Sequence, residues 1–287
     1  MNNIKYFLQF ICVIILFGIF KIIGLKYSRL FAGNIMTLFG PIFRSEKIIF
    51  KNLSRAFPNI DQIEKKKILK KMWFNYGRIF AEYMFIKNFR QDPTISKNIL
   101  IDNRNILEDV KRNSEPVIFI SGHFDNFELM AMQIEKEGVD LAAMYRPLNN
   151  NFLNPLMEKI RKKFICKKQI KKGISGTKEL LINFKKGTSI ALMIDQRVSQ
   201  GIRADLFGEK ALTTTIPAQF IKKFNIKVIP VSIERKNIEI FRITFHPPIG
   251  FPKNASVEFI TSELNKFLEN MIKNNPDQWI WSHNRWK

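Results

Sequence analysis

The sequence predicts an α/β fold, a largely parallel central sheet flanked by helices and preceded by an N-terminal membrane-anchor helix. Strand-like runs recur along the chain, at 117–120, 139–144, 189–194, 228–233 and 238–245. Apolar residues at helical spacing lie between most of them, at 127–136, 153–164, 178–185 and 218–224. Such alternation is typical of parallel sheets covered by helices. The short 234–237 connection predicts that the last two strands form a hairpin on the sheet edge, followed by a helix over 257–272.

An apolar segment at the start of the chain predicts the anchor. From 6 to 25 its strongly polar interruptions are Gln9 and Lys21, and this length is close to the roughly 20 residues that span a bilayer. A cleaved signal peptide would need a small-residue cleavage site, and an interfacial helix would need a polar face. Because the segment lacks both, we expect a single anchor, either spanning or deeply inserted.

Cations flank this segment unequally. Lys5 precedes it, and six cations follow it closely: Lys21, Lys26, Arg29, Arg44, Lys47 and Lys51. The positive-inside bias therefore places most of the chain on the cytoplasmic side of the membrane. We expect an anchor over 1–29 and a single catalytic domain over 30–287, which begins with helices over 35–57 and 63–86.

The net charge of the chain indicates anionic binding partners but does not identify which kind. The 287 residues carry 47 Lys and Arg against 25 Asp and Glu, a net charge of +22. This charge favours nucleic acid, an anionic membrane surface or acidic proteins and phosphorylated substrates. Cys12 and Cys166 lie far apart, and the three histidines have no metal-ligand spacing. We therefore expect no disulfide framework, no metal and no cofactor.

The candidate chemistry lies where the buried strand ending at Ile120 gives way to a helix. Ser121-Gly122-His123 is followed by Asp125, Asn126 and, five residues after the histidine, Glu128. In open α/β sheets ligands bind beyond the carboxyl ends of the strands. If His123 precedes the helix, Glu128 can accept a hydrogen bond from one ring nitrogen while the other nitrogen takes a proton.

The chain has no Gly-x-Ser-x-Gly elbow and no cysteine near His123 in sequence. This pattern favours direct activation of a substrate hydroxyl, without a covalent enzyme intermediate. Acyl transfer to an alcohol fits such a dyad, but the same activation serves other chemistry, so the dyad alone leaves the reaction open.

Several motifs in order make the chain similar to the late acyltransferases of lipid A biosynthesis. Gly122-His123-x-x-Asn126-x-Glu128 resembles the signature of that family. The other matches are Asn52-Leu53 with Phe57-Pro58, Tyr145-Arg146-Pro147, Asp195-Gln196-Arg197, Phe207-Gly208, Thr213 to Pro217, and the closing segment from Pro276 to Trp286. The resemblance extends from about residue 52 to the C-terminus, and it implies a fold like that of the glycerolipid acyltransferases.

The resemblance implies transfer of a fatty acyl chain from acyl carrier protein to a hydroxyl of a 3-hydroxyacyl chain on the phosphorylated lipid A precursor. It makes His123 the general base and Glu128 its orienting acid. Arg146 would contact the oxyanion or a substrate phosphate, Asp195 would hold Arg146 or His123, and Asn126 and Gln196 would contact or orient the substrate. The partners would be acyl carrier protein, the lipid precursor and the anionic leaflet of a bacterial inner membrane, with catalysis on the cytoplasmic side and no nucleic acid.

Two residues depart from the family pattern, since Gly usually stands at the position of Asp125 and Trp at that of Phe127. Asp125 is therefore a second candidate carboxylate, which would perturb His123 or substitute for Glu128. Phe207-Gly208 with the following Thr213 to Pro217 predicts either a turn and a helix start or a wall for the acyl chain. Trp279, Trp281 and Trp286 predict packing or interfacial anchoring.

Two other functions remain open at this point. A glycerolipid acyltransferase shares a His-x4-acid dyad, usually with Asp at the position of Glu128, but its later Phe-Pro-Glu-Gly-Thr-like motif is missing from this sequence. A membrane-tethered basic binding or scaffold protein would explain the net charge alone. It would need a recognisable binding fold or a basic stripe with stacking aromatic residues, and the sequence predicts neither.

Overall fold

The computed structural model describes residues 2–287. The strands are β1 (Ile99–Asp102), β2 (Ile118–Ser121), β3 (Leu141–Tyr145), β4 (Lys168–Lys171), β5 (Ser189–Met193), β6 (Ile202–Leu206), β7 (Glu209–Thr213), β8 (Val228–Arg235) and β9 (Phe241–Phe245). The helices are α1 (Asn2–Phe43), α2 (Glu46–Ala56), α3 (Gln62–Glu82), α4 (Ile86–Gln91), α5 (Pro93–Ser96), α6 (Asn105–Asn113), α7 (Glu128–Lys136), α8 (Leu153–Phe164), α9 (Ile174–Lys185), α10 (Ile216–Phe224) and α11 (Val257–Asn274).

The central sheet has the order β1-β9-β8-β2-β5-β3-β4 within the described residues. The five strands from β8 to β4 are mutually parallel, whereas β9 runs antiparallel to β8 and β1 runs parallel to β9. The predicted α/β fold with a largely parallel sheet is confirmed. The β8–β9 hairpin also forms, but its predicted place at the edge is wrong because β1 covers β9. Strand β1 has three aliphatic residues, but its four-residue length is too short for a pattern to identify it as a strand.

Apolar residues cover both faces of the sheet. On β2, Ile118 and Ile120 pack on the face that also receives α9 and α10, while Phe119 packs on the opposite face with residues of α3 and α7. A strand buried on both faces has a continuous apolar sequence, and for this reason the run at 117–120 predicts a strand. The core therefore fixes the strand that leads to His123.

The N-terminal helix α1 consists of two arms that meet at Gly24. Gly24 has φ +76°, a backbone conformation that interrupts the helical geometry at this residue. The helix is long and apolar enough to cross a membrane, with a mean hydropathy of 2.5 in its most apolar window. The predicted helix over 35–57 is wrong, because 35–43 belong to α1 and α2 begins at Glu46. The predicted 63–86 helix corresponds to α3 and the turn after it.

The first arm of α1 lies against the loop that follows β3. The Asn150 amide donates to the carbonyl of Tyr6 at 2.8 Å and to the side-chain oxygen of Gln9 at 3.3 Å. The ring of Phe152 packs against Phe7 at 5.5 Å between centroids. Gln9, a polar interruption of the anchor, is thus satisfied by the loop that follows β3.

Phe207 and Gly208 form the turn of a small hairpin made by β6 and β7. Both residues have positive φ, +55° and +73°, and Leu206 pairs with Glu209 across a two-residue loop. Such geometry matches the primed turns that suit the twist of a hairpin. Pro217 is the second residue of α10. The predicted turn and helix start both form, and Thr214 and Ile216 of the same motif also line a cavity beside His123.

Candidate active site

The candidate site lies at the carboxyl ends of the parallel strands. His123 follows β2, Arg146 follows β3, Lys172 follows β4 and Asp195 follows β5. Parallel strands end at one edge of the sheet, so these four side chains gather there. Because β2 and β5 are neighbours, His123 and Asp195 are brought together although they are 72 residues apart.

Asp195 holds His123 through two contacts. Its Oδ1 lies 2.7 Å from Nδ1 of the His123 ring, and its Oδ2 accepts the backbone N–H of His123 at 2.7 Å. The indole N–H of Trp279 donates to the same Oδ2 at 2.9 Å. The histidine side chain is 19% exposed and the carboxylate is fully buried. The ring is therefore fixed through Nδ1, which leaves Nε2 for a substrate.

The charge state of Asp195 suits this role. Burial opposes ionisation of the carboxyl group, but the proximity of His123 and the hydrogen bonds from His123 and Trp279 outweigh burial and lower the Asp195 pKa to about 2. Asp195 is thus a carboxylate near neutral pH. A carboxylate on Nδ1 selects the tautomer whose Nε2 accepts a proton, and it stabilises the imidazolium that results.

The residues around the ring leave little freedom. A Cβ added at Gly122 would lie 2.8 Å from the ring of Phe124 and 2.9 Å from Leu268, so a larger residue does not fit there without rearrangement. The ring of Phe127 stands edge-to-face to the His123 ring at 4.7 Å. On the other side, the amide nitrogen of Gln196 lies 3.4 Å from Nε2. The close contacts explain why residue 122 is a glycine, and the Phe127 ring restricts the orientation of the His123 ring.

Glu128 has a different set of partners from the one expected. Its Oε1 accepts hydrogen bonds from Tyr83 and from Nε of Arg161, the latter at 2.8 Å. The expected bond from Glu128 to His123 is not among the hydrogen bonds of the described residues; Nδ1 has Asp195 instead. The reason is positional, because Glu128 is the first residue of α7 and its side chain is directed toward α3 and α8, whereas the end of β5 lies beside His123.

Arg161 and Tyr83 are site residues that the sequence did not indicate. Burial lowers the pKa of the Arg161 guanidinium, but the nearby Glu128 more than offsets this and raises it. Burial and the Glu128 charge raise the pKa of Tyr83 well above its usual value. The Tyr83 hydroxyl therefore stays protonated and donates a hydrogen bond to Glu128. Nη1 of Arg161 is buried without a hydrogen-bond partner in the described residues. Arg161 stands in a Lys/Arg-rich helix where nothing distinguishes it by sequence.

Asn126 does not line the cavity at His123, in contrast to the expected substrate contact. Its amide donates to Glu82 Oε2 at 2.9 Å, and both residues are buried. Glu82 in turn pairs with Arg29 of α1 at 2.6 Å and with Arg235 at the end of β8 at 2.8 Å. Asn126 therefore connects the loop after β2 to a buried ionic network that reaches the second arm of α1.

Asp125 belongs to the same network and is turned away from His123. Both of its carboxylate oxygens accept from Arg235, from Nε at 2.9 Å and from Nη2 at 2.6 Å. Its backbone has φ +39°, in the left-handed region that glycine adopts most readily. A glycine at this position would adopt the same conformation without strain. The side chain of Asp125 accepts hydrogen bonds from Arg235 and from the backbone N–H of Asn126, so its ionic partner is an arginine and not His123.

We expect Asp125→Gly to lower stability while leaving the chemistry in place. Removing one partner of a buried ion pair costs about 3–5 kcal/mol, and relief of the positive φ returns about 1 kcal/mol. Thermal unfolding in detergent should therefore show a lower midpoint, with a turnover rate at low temperature within about threefold of wild type. Ser114→Gly is the matched control, because exposed Ser114 has φ +54° and no ion pair. An unchanged midpoint with a collapsed rate would instead place Asp125 in the chemistry.

The cavity at His123 has a volume of about 390 Å³. One part of its wall is apolar and consists of Phe127, Ala131, Ala143, Met144, Ala191, Met193, Ile216 and Ile280. Another part is cationic and consists of Arg44, Arg146, Arg161 and Lys172, with Gln196 and His283 beside them. Burial lowers the pKa of His283 to about 4, so this second histidine is neutral near pH 7. The cavity thus combines an apolar surface with positive charge around His123.

Arg146 and Lys172 form a pair of cations at the exposed part of this cavity. The backbone N–H of Lys172 donates to the carbonyl of Tyr145 at 2.8 Å, which holds the ends of β3 and β4 together. Partial burial and the neighbouring Arg146 charge lower the pKa of Lys172. Two exposed cations that repel each other are suited to a shared anion, such as a phosphate.

The C-terminal aromatic segment packs inside the fold. Trp279, Trp281 and Trp286 are all buried. Of the two roles predicted for these tryptophans, packing is therefore confirmed, and interfacial anchoring is wrong. The amide of Asn52 donates to the carbonyls of Trp281 and His283 at 2.9 and 2.8 Å. The Asn-Leu element and the closing segment, 229 residues apart, therefore act together to support Asp195 through Trp279.

Within residues 2–287, no group of three or more His, Cys, Asp and Glu side chains is arranged to hold a metal ion.

The chain is similar to known acyltransferases along its whole length. The family model for bacterial lipid A biosynthesis acyltransferases matches residues 1–287. The lipid A biosynthesis lauroyltransferase of Escherichia coli K12 is 24% identical over 256 residues, covering 85% of this chain and 79% of that protein. Lipid A biosynthesis acyltransferase 2 of Shigella flexneri is 24% identical over 236 residues, covering 80% and 74%.

A solved structure also resembles the chain at low similarity. The crystal structure of the 1-acyl-sn-glycerophosphate acyltransferase from Thermotoga maritima aligns with 90% of this chain and 100% of that chain, at 13% identity and a TM-score of 0.40.

Proposed function

The chain belongs to the bacterial lipid A biosynthesis acyltransferase family, and on this premise we propose that it transfers a fatty acyl chain from acyl carrier protein to a hydroxyl of a 3-hydroxyacyl chain on the lipid A precursor. One observation carries the proposal. His123 has Nδ1 bound to a buried carboxylate at 2.7 Å and lies in the wall of a cavity that is both apolar and cationic. Such an arrangement suits a general base acting on a lipid with anionic groups.

In the proposed reaction, Nε2 of His123 takes the proton of the acceptor hydroxyl. The oxygen attacks the thioester carbonyl carbon, and a tetrahedral oxyanion forms. When the C–S bond breaks, the imidazolium returns its proton to the departing thiolate, so the products are an ester and a free thiol. Asp195 stabilises the imidazolium from the time His123 takes the proton until it returns the proton to the thiolate.

Donors for the oxyanion are available beside the base. The amide of Gln196 lies 3.4 Å from Nε2, close to where the reacting carbonyl would meet the hydroxyl. Nη1 of Arg161, which lacks a partner in the described part of the chain, belongs to the same cavity wall. We assign Gln196 to the developing oxyanion, and Arg161 to a polar group of the bound substrates, since preorganised donors are most effective where charge develops.

Arg146 and Lys172 are assigned to a phosphate of the acceptor. They are exposed at the cavity, whereas an oxyanion donor must lie beside the base. The bidentate fork of arginine suits phosphate oxygens. Of the two roles expected for Arg146, phosphate binding is therefore the one we propose.

An acidic carrier protein is the donor that the surface charge favours. Residues 159–186, which include the edge strand β4 beside the cavity, contain eleven Lys and Arg and a single acidic residue, Glu179. Ten of the eleven cations are exposed, and Arg161 is partly buried. Complementary charge steers association and orients a docked protein. A carrier protein on this face would present its thioester next to Arg161 and Lys172.

The anchor supports a membrane-bound acceptor on the cytoplasmic side of the inner membrane. The first arm of α1 is bonded through Asn150 to the loop that carries Arg146, so the cavity stays close to the lipid. The cations that follow the first arm favour the cytoplasmic side. A hydroxyl on an acyl chain would then reach His123 without the lipid leaving the bilayer.

A competition between acceptors and donors tests the function. Membranes containing the protein receive either acyl-acyl carrier protein or acyl-coenzyme A, together with a tetra-acylated phosphorylated disaccharide lipid or lysophosphatidic acid, and mass spectrometry identifies the products. We expect one additional acyl chain on the disaccharide, supplied by the carrier protein. Acylation of lysophosphatidic acid alone, or no acylation of the disaccharide by either donor, would refute the proposal.

A further inference from the structure

A second cavity, of about 410 Å³, lies between the second arm of α1, helix α3 and the turn of the β8–β9 hairpin. It has no described lining residue in common with the cavity at His123. Five cationic residues line its wall, Lys70, Lys71, Arg78, Arg235 and Lys236, with Asp277 as the acidic residue. The proposed acyl transfer uses none of these side chains, so the charge here needs a separate explanation.

Arg78 is the unusual member of this group. Its Nη2 donates to Asn75 Oδ1 at 2.8 Å, and its Nε is buried with no hydrogen-bond partner in the described residues. The guanidinium lies over the ring of Phe74 at 5.2 Å, which fixes its direction. None of the ion pairs formed within residues 2–287 includes Arg78. A partly buried arginine without a carboxylate is costly unless an anion binds it.

The neighbouring ionic network cannot neutralise Arg78. The network combines Arg29 and Arg235 with two carboxylates, Glu82 and Asp125, which bond to these two arginines. Arg78 is a third guanidinium beside this balanced set, so one positive charge remains. Burial and the Arg235 charge together lower the Arg78 pKa to about 10, in agreement with an uncompensated cation.

Lys70 supplies a second available cation. Lys71 pairs with Asp277 at 3.1 Å and Lys236 pairs with Glu234 at 2.5 Å, whereas Lys70 has no ion-pair partner in the described part of the chain. Lys70 and Arg78 are eight residues apart on α3, which places them about 80° apart around the helix axis, and both line the same cavity. Together they provide two positively charged groups to one cavity.

The cavity also borders the apolar surface of α1. Asn34 and Thr37 line it, while Ile35 and Leu38, the residues that follow each of them, are 37% and 70% exposed. An exposed apolar face on a helix that suits a membrane brings the cavity to the level of lipid headgroups.

We propose that this cavity is a phosphate-binding site, with Arg78 and Lys70 as its principal ligands. The planar guanidinium offers its free N–H groups to phosphate oxygens, and the ammonium of Lys70 contributes a point charge. The phosphate has two possible sources, the headgroup of an anionic lipid or inorganic phosphate in solution. The same ligand set serves both, and affinity distinguishes them.

Titration calorimetry on the full chain in neutral detergent micelles tests the proposal, with short-chain phosphatidic acid, inorganic phosphate and phosphatidylcholine as probes. Arg78→Gln and Lys70→Gln should each weaken phosphate or phosphatidic acid binding about tenfold, the loss typical of one charge-assisted bond. Lys66→Gln is the matched control, since this exposed lysine stands one turn earlier on α3 and does not line the cavity. Its affinity should stay within about twofold of wild type.

Further outcomes separate the alternatives. Tighter binding of phosphatidic acid than of phosphate identifies a headgroup site, and equal affinities identify a site for the free ion; both support the proposal. Arg146→Gln removes the phosphate contact proposed at the His123 cavity, and it should leave unchanged the component of binding that Lys70→Gln weakens. The proposal is overturned if neither anionic probe binds more tightly than phosphatidylcholine, or if binding is lost in Arg146→Gln and kept in Lys70→Gln. Lys70 is exposed, so its variant remains informative even if Arg78→Gln fails to fold.

Discussion

Replacing Asp195 with asparagine should lower the turnover of acyl transfer by about 10³-fold or more with little change in KM for the donor. An amide of the same size fits the site, but it no longer stabilises the imidazolium, and its NH2 group favours the wrong histidine tautomer. The same type of change in a serine protease triad costs about 10⁴-fold. Steady-state kinetics with acyl-acyl carrier protein measure both parameters.

The comparison of Asp195 with asparagine requires that Asp195 is ionised in the wild-type protein, and its pKa of about 2 sets the pH range in which this holds. A carboxyl group with a depressed folded-state pKa contributes stability that is present above its unfolded value of about 3.9 and is lost as the pH falls toward 2. Rates measured between about pH 6 and 9 therefore compare a fully ionised Asp195 with the neutral amide. Asp140→Asn, at an exposed Asp–Lys pair, is the control and should keep wild-type turnover. A wild-type rate in Asp195→Asn would remove the carboxylate from the mechanism.

Glu128→Ala should reduce turnover by about 10²-fold because Arg161 loses its buried partner. Truncating one member of a buried ion pair leaves the other charge uncompensated. Arg161→Ala should cost a similar factor. If the two act as one unit, the double variant should lose little more than either single variant. Glu128 is then a positioning residue that holds Arg161 in the cavity wall.

The double-mutant cycle distinguishes this role from direct proton transfer by Glu128. A carboxylate that oriented His123 on its own would give losses that multiply with those of Arg161→Ala, and its removal would alter the pH profile of kcat. We expect the profile of Glu128→Ala to keep its wild-type shape. The matched control is Glu135→Ala, which breaks another Glu–Arg pair of the same helix, with Arg90 at 2.5 Å, away from the cavity.

The local sequence pattern was sufficient to predict that His123 lies at the end of a buried strand. The apolar run before Gly122 marks a strand buried on both faces, and the strand end puts His123 at the edge of the sheet where ligands bind. Asp195 was predicted to hold either Arg146 or His123; the pairing of β2 with β5 brings it to His123. Which strands become neighbours is a tertiary outcome that spacing along the chain does not contain.

Other parts of the site depend entirely on long-range contacts. Glu128 was assigned to His123 because the two are close in sequence, whereas its partners Tyr83 and Arg161 come from 45 and 33 residues away. Asp125 gained its explanation only from Arg235, 110 residues further along. Strand β4 escaped prediction because a single residue, Ile170, is buried among exposed or half-buried polar neighbours.

Single-turnover intact-mass spectrometry tests the central claim most directly, namely that His123 and Asp195 activate the acceptor hydroxyl for direct transfer. Enzyme, acyl-acyl carrier protein and the disaccharide acceptor are mixed, quenched at short intervals, and analysed for acylated lipid and acylated protein. We predict that acylated lipid forms as the thioester is consumed, with no acyl adduct on the enzyme. An adduct that forms and decays at the turnover rate, on His123 or on any other side chain, would contradict this mechanism.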